Sequence, residues 1–210
     1  MSRVEHGSAP RLDAILARAA GSDPQREAVV FERQSWSYGV VYDRACRLAG
    51  ALAGLGVRKG ERVALWTHNR PEFVEVFFGV PMLGAICAPV DFWWGWKDAN
   101  VALAQIRPKV LIVGPAQAAI AAESRAALRA VGVEHVLCLD EAPAGSDFKS
   151  YGGALASAER LRQCTPVVAS DPAVILFTSG STGRSKGAVH THGSLTATAA
   201  TPVLDRKSVV

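Results

Sequence analysis

Between residues 27 and 177 short aliphatic runs alternate with longer stretches of helical period. That alternation predicts an α/β fold with a mostly parallel sheet flanked by helices. The clearest stripe is Val41, Ala45, Leu48, Leu52 and Leu55, whose spacings of four, three, four and three put one apolar face on a helix that Gly56 can close. A first helix is predicted over 12–19. Strands are predicted over 27–31, 62–66, 85–90, 109–113, 134–139 and 173–177, each run being too short for a stable helix. Asn69, Pro71 and Glu72 read as a helix start, with Asn69 as the cap and Pro71 in the first turn. The helix that follows is apolar on nearly every side, which predicts burial, and Pro81 should kink it or end it early. An Ala-rich helix is expected over 117–131 and another near 154–162. From 140 to 153 Pro, Gly, Ser and Asp accumulate, the composition of a surface loop or subdomain seam.

Composition narrows the class without changing that picture. Of 210 residues 49% are hydrophobic and 20% charged, the balance of a folded domain. The formal charge of +4 is small and its signs are interspersed, so no nucleic-acid partner is expected. The longest uncharged stretch, 76–90, is broken by Gly79, Pro81, Gly84 and Pro89 and falls short of the roughly 20 apolar residues a bilayer requires. Residues 1–20 lack the apolar block of a secretory signal, and a cytoplasmic protein without a transmembrane segment is expected. Cys46, Cys87, Cys138 and Cys164 lie far apart, with no C-x-x-C pair and no histidine at zinc-ligand spacing, so buried free thiols are expected and no metal site.

The candidate chemistry lies in Thr178, Ser179, Gly180, Ser181, Thr182, Gly183, Arg184, Ser185, Lys186 and Gly187. These ten residues hold five hydroxyls, three glycines and two cations, with no acid. Glycines let backbone N–H groups converge without a Cβ in the way, hydroxyls add short hydrogen bonds, and cations supply charge. Together they complement a polyanion such as a triphosphate. Composition alone would also suit a solvated loop. Position favours function, because the stretch directly follows an apolar run, and ligands of open α/β sheets gather at the carboxyl ends of strands. The spacing excludes the G-x-x-x-x-G-K-[ST] loop of kinases and GTPases and the dinucleotide fingerprint.

Phe177 to Gly187, FTSGSTGRSKG, resembles the phosphate-loop signature [FY]-T-S-G-[ST]-T-G-x-P-K-G of the adenylate-forming superfamily, which includes acyl-CoA synthetases, insect-type luciferases and peptide-synthetase adenylation domains. Ser185 departs from the proline of that signature, which should loosen the loop rather than remove a ligand. The resemblance continues in Trp36-Ser37-Tyr38, in Gly56-Val57-Arg58-Lys59-Gly60-Glu61-Arg62-Val63-Ala64-Leu65, in Asn69-Arg70-Pro71-Glu72-Phe73, in 84–90 and in the passage 187–192 ending Thr191-His192. It covers nearly the whole of 11–203. Asp91-Phe92-Trp93-Trp94-Gly95-Trp96-Lys97 resembles a bacterial acyl-CoA ligase branch with paired tryptophans, and these aromatics are read as core or seam packing rather than an acyl pocket.

The resemblance implies an incomplete amino-terminal subdomain of an adenylate-forming enzyme over 1–204. The parent would activate a small-molecule carboxylic acid as its acyl-adenylate with ATP and Mg²⁺, then form a thioester with coenzyme A. Thr178, Ser179, Gly180, Ser181, Thr182, Gly183, Lys186 and Gly187 would hold the ATP phosphates, with Lys186 an electrostatic clamp and not a nucleophile. No catalytic residue is expected in this stretch. The adenine and ribose motifs, the coenzyme A site and the carboxy-terminal domain with its catalytic lysine would lie beyond residue 210, so the chain by itself is expected to be inactive. A peptide-synthetase-type adenylation module and a non-catalytic nucleotide-binding protein remain open as alternatives, and acyl substrate and oligomeric state are unread. His190 and His192, two apart, are expected on one strand face, packed or hydrogen-bonded rather than acting as bases. Residues 205–210, DRKSVV, break the family pattern. The codons GAT CGG AAG AGC GTC GTG would encode them and resemble the start of a sequencing-library adapter, so a non-native tail is expected there.

Overall fold

The structure, a computed structural model, describes residues 10–178 and 185–205, the last five by their backbone alone. Nine strands and eight helices lie within those residues: α1 Leu12–Ser22, β1 Glu27–Phe31, β2 Gln34–Ser37, α2 Tyr38–Gly54, β3 Arg62–Trp66, α3 Pro71–Met82, β4 Ile86–Val90, α4 Trp96–Ile106, β5 Val110–Val113, α5 Pro115–Glu123, α6 Arg125–Ala130, β6 His135–Cys138, β7 Lys149–Ser150, α7 Tyr151–Ser157, β8 Pro172–Thr178, β9 Lys186–Thr191 and α8 His192–Asp205. β1 and β2 form a small antiparallel hairpin. The other seven strands make one sheet in the order β7-β6-β5-β3-β4-β8-β9, parallel except where β9 runs against β8. The expected α/β class with a mostly parallel sheet is what forms.

Side chains alternate across this sheet, so each face has its own core. Val63, Leu65, Val110, Ile112 and Leu137 pack with α1, α2, α3 and α7. Ala64, Trp66, Leu111, Val113 and Val136 pack with α4, α5 and α6 on the opposite face. Burial on both sides explains why β3 and β5 read as continuous apolar runs rather than as alternating ones. In α2 the stripe predicted from spacing is buried at Val41, Ala45, Leu48 and Leu52. Ser37 caps its start by accepting from the Val40 N–H, and Gly56, at φ 80°, takes the left-handed conformation after its end.

Several expectations shift. The cap residue of α3 is Arg70, with no side-chain capping bond, so Asn69 does not cap it; Pro71 does sit in the first turn. α3 stops at Met82, one residue after Pro81, whose carbonyl accepts from Gly84 N–H and from Arg11. The Ala-rich segment is two helices, broken at Ser124. The helix expected near 154–162 starts earlier, at Tyr151, where the Ser150 hydroxyl accepts from Gly153 N–H, and it ends at Ser157. Four elements, β2, α4, β7 and α8, have no counterpart in the sequence reading. His190 and His192 do not share a strand, since β9 ends at Thr191 and His192 opens α8. Of the segment 205–210, Asp205 ends α8 and the remainder lies outside the described residues.

Two buried polar nodes tie the helices on the first face together. Glu75 accepts from Arg44 Nε at 2.5 Å and from the Tyr151 hydroxyl at 2.8 Å, joining α2, α3 and α7. Arg11, only 1% exposed, pairs with buried Asp13 and donates to the carbonyls of Thr165 and Pro81. Beside it the Leu12 N–H donates to His192 Nδ1 at 3.1 Å, which fastens the start of α1 to the start of α8. All four cysteines are buried free thiols. Burial pushes Cys87 up to about 12 and Cys46 and Cys138 up to about 11, so these are packing residues and not nucleophiles.

Candidate functional site: the hairpin at the end of β8

Because β8 is parallel to β4, its carboxyl end at Thr178 opens on the same edge as Val90 and Asp91. The apolar run Pro172–Thr178 buries Ala173, Val174 and Ile175, then emerges at Leu176 and Thr178. It therefore delivers the chain from core to surface where the candidate loop begins. The chain returns as β9, antiparallel, with Phe177 opposite Gly187 and Thr178 opposite Lys186. Of the expected site residues, Thr178, Lys186 and Gly187 are thus brought together at the mouth of a hairpin. Ser179, Gly180, Ser181, Thr182 and Gly183 lie outside the described residues.

Each described member has a local reason for its identity. Gly187 sits where a Cβ would come within 2.8 Å of the Ile175 methyl and 3.5 Å of the Phe177 ring, so the close pairing of the limbs requires that it have no side chain. The Thr178 hydroxyl lies 3.5 Å from the Lys186 carbonyl and is exposed, as is the Lys186 side chain. Among the described residues Lys186 has no ion pair. A threonine and an exposed lysine paired across the end of a hairpin suit an anionic ligand.

The surroundings are aromatic on one side and helical on the other. Trp66 Nε1 donates to the Asp91 carbonyl at 3.2 Å, which joins the ends of β3 and β4. Trp94 meets Phe177 edge-on, with ring centroids 5.8 Å apart. Trp94 and Trp96 pack against the second core, as the packing reading expected, whereas Trp93 is 80% exposed and stands with Phe92 and His68 in a surface cluster. That cluster corrects the core reading for Trp93: the β4–α4 turn carries it outward after Asp91 Oδ1 accepts its N–H. On the other side Gln105, which sequence reasoning passed over, donates from Nε2 to the Ser185 carbonyl at 3.2 Å. The signal that would have found α4 is the set Ala99, Ala102, Leu103 and Ile106 at helical spacing, all buried.

Farther back, His192 is fully buried and its Nδ1 accepts a backbone hydrogen bond, so it is a packed and bonded histidine, as expected of it. Desolvation pulls its pKa below the ordinary imidazole value, with the charge of Asp13 opposing. No described helix is long and apolar enough to cross a membrane.

Comparison with known proteins agrees with this architecture. The family model described as AMP-binding enzyme matches residues 16–208. A feruloyl-CoA synthase of an Amycolatopsis species is 36% identical over 179 residues, spanning 85% of this chain and 33% of that protein. A crotonobetaine/carnitine–CoA ligase of Salmonella typhimurium is 31% identical over 183 residues, spanning 84% of this chain and 35% of that protein. Among solved structures, an anthranilate CoA ligase in complex with anthranoyl-AMP superposes with TM-score 0.83 at 26% identity, over 92% of this chain and 37% of its own. A fatty acyl CoA synthetase from Mycobacterium tuberculosis superposes with TM-score 0.73 at 28% identity, over 87% of this chain and 35% of its own. The chain spans about a third of the length of the curated relatives it matches. With the sheet order, the hairpin at the end of β8 and a family match over almost all its residues, the chain belongs to the AMP-binding enzyme family.

Proposed function

We propose that this chain is the phosphate-binding amino-terminal part of an acid–thiol ligase that activates a carboxylic acid as its acyl-adenylate and passes the acyl group to coenzyme A. The observation that supports the reading is the β8–β9 hairpin, which pairs Thr178 with Lys186 where a Gly-, Ser- and Thr-rich segment leaves the carboxyl edge of the sheet. The relatives' names, feruloyl-CoA synthase and crotonobetaine/carnitine–CoA ligase, favour coenzyme A over a carrier protein as the acceptor.

In this reading ATP is substrate. Thr178, Ser179, Gly180, Ser181, Thr182, Gly183, Lys186 and Gly187 grip its β- and γ-phosphates while the acid's carboxylate attacks the α-phosphorus in line and pyrophosphate leaves. Lys186 neutralises charge on the phosphate tail as it builds and takes no part in bond making. Mg²⁺ accompanies ATP in such chemistry. Among the described residues no three His, Cys, Asp or Glu side chains gather as a metal site, and no step is assigned through the ion. The alternative of a peptide-synthetase-type module shares the adenylation step and differs in its acceptor. Carboxylate-dependent ATP–pyrophosphate exchange by the full-length protein, followed by thioester formation on adding coenzyme A, separates the two.

For the hairpin itself the test is MgATP binding to the chain. Lys186→Ala is expected to weaken it by about tenfold or more, the worth of a charge-assisted hydrogen bond. An unchanged affinity would remove the hairpin from the site.

A further inference from the structure

We propose that α4 is a brace for the phosphate-binding hairpin and that Gln105 is its positioning residue, holding the returning limb at Ser185 so that Lys186 faces the ligand. The inference rests on the phosphate-binding reading above and adds a part to it that neither the family match nor the signature contains.

β9 is the edge strand of the sheet and pairs with β8 alone. The Thr178–Lys186 pair is the last one in that ladder before the loop. A terminal pair of an edge ladder frays readily, so the position of Lys186 depends on what else holds the limb. Serine at 185 leaves φ free, where proline, the residue of the signature at that place, would fix it. Gln105 makes a side-chain hydrogen bond to the loop end of this hairpin from outside it, at the residue before Lys186, whereas the Ser194 hydroxyl holds the far end of β9 at Thr191.

The brace is itself anchored. Arg107 ends α4 in the left-handed conformation, at φ 45°, with its N–H on the Leu103 carbonyl at 2.7 Å. The Arg62 guanidinium, from the start of β3, donates to the carbonyls of Ile106 and Arg107 at 2.5 and 2.9 Å, satisfying the helix end. At the other end, Trp94, two residues before the start of α4, meets Phe177 on the outgoing limb. Leu103 and Ile106 bury the helix against the sheet. One helix, fixed to β3 and the core, therefore touches the returning limb with its last turn, while the segment leading into it touches the outgoing limb through Trp94. Preorganisation of this kind lowers the ordering cost of binding.

The experiment uses the 210-residue chain with Gln105→Glu, which keeps length and helix propensity but cannot donate, and Gln105→Lys, which restores a donor. Hydrogen exchange is followed in peptides covering 185–189, MgATP affinity is titrated, and the urea midpoint monitors the fold. Gln105→Glu is expected to speed exchange in that peptide about fivefold and weaken MgATP binding by a similar factor, the usual worth of one hydrogen bond. The urea midpoint should not move, and Gln105→Lys should restore both readouts. Unchanged exchange in Gln105→Glu would overturn the brace. Faster exchange with unaltered MgATP binding would uphold the brace and count against the hairpin as the phosphate site, so the two ideas fail separately.

Discussion

β5 and β9 belong to one sheet and are built to opposite rules. All four residues of β5 are buried, while the first four of β9 are exposed and include a glycine and a lysine. In β5 the choice of residue is settled by packing, since both faces are covered by helices. In β9 packing asks only that position 187 lack a side chain, which leaves the rest of the limb to chemistry. The stability of this fold and its candidate function are thus held in different strands. α4 joins them, with Leu103 in the core and Gln105 on the hairpin.

The contrast predicts unequal responses to substitution. The largest should come from the buried polar node: Arg11→Met would remove the cation from beside the buried Asp13 carboxylate and cost about 3–5 kcal/mol in urea unfolding. Replacing both members by apolar residues should recover much of that loss. Next, Ile112→Ala in β5 should cost about 2–5 kcal/mol, whereas Val189→Ala in β9, 57% exposed, should stay within about 0.5 kcal/mol. A similar cost at both would erase the distinction between the strands.

A smaller effect concerns the seam between core and hairpin. The neutral His192 ring accepts from Leu12 N–H, with Asp13, Arg11, Asp171 and Lys59 the charged groups acting on it. Its folded pKa lies below the ordinary value of 6.5, so the folded chain binds fewer protons than the unfolded one below that pH. Its contribution is present in full above 6.5 and is lost as pH falls from there through the folded pKa, by at most about 1.4 kcal/mol per pH unit. Urea midpoints measured down to pH 5 should show this slope, and His192→Gln should flatten it. A slope that survives the substitution would belong to another group.

What the amino-acid sequence disclosed follows the same division. The stripe of α2 is legible because its apolar side chains recur at the helical period, and β1 and β3 because their apolar runs are too short for a helix. α4 was not, because two of its four buried positions are alanines and its tryptophan-rich entrance drew the reading toward packing. α7 begins before its composition suggests, since Gly152 and Gly153 have the look of a loop and only the Ser150 cap opens a helix over them. β2, with the sequence Gln-Ser-Trp-Ser, carries no apolar period and owes its form to pairing with β1. At the site, the residue types and their place after an apolar strand were readable from the chain, and so was the glycine at 187. The hold of Gln105 on Ser185 was not, because it spans 80 residues and depends on α4 crossing the hairpin.

The central claim is that this hairpin receives a triphosphate, and a crystal of the chain with a non-hydrolysable MgATP analogue tests it most directly. The account predicts phosphate oxygens about 3 Å from the Thr178 hydroxyl and the Lys186 ammonium. A nucleotide bound elsewhere, with no phosphate in reach of either group, would contradict it.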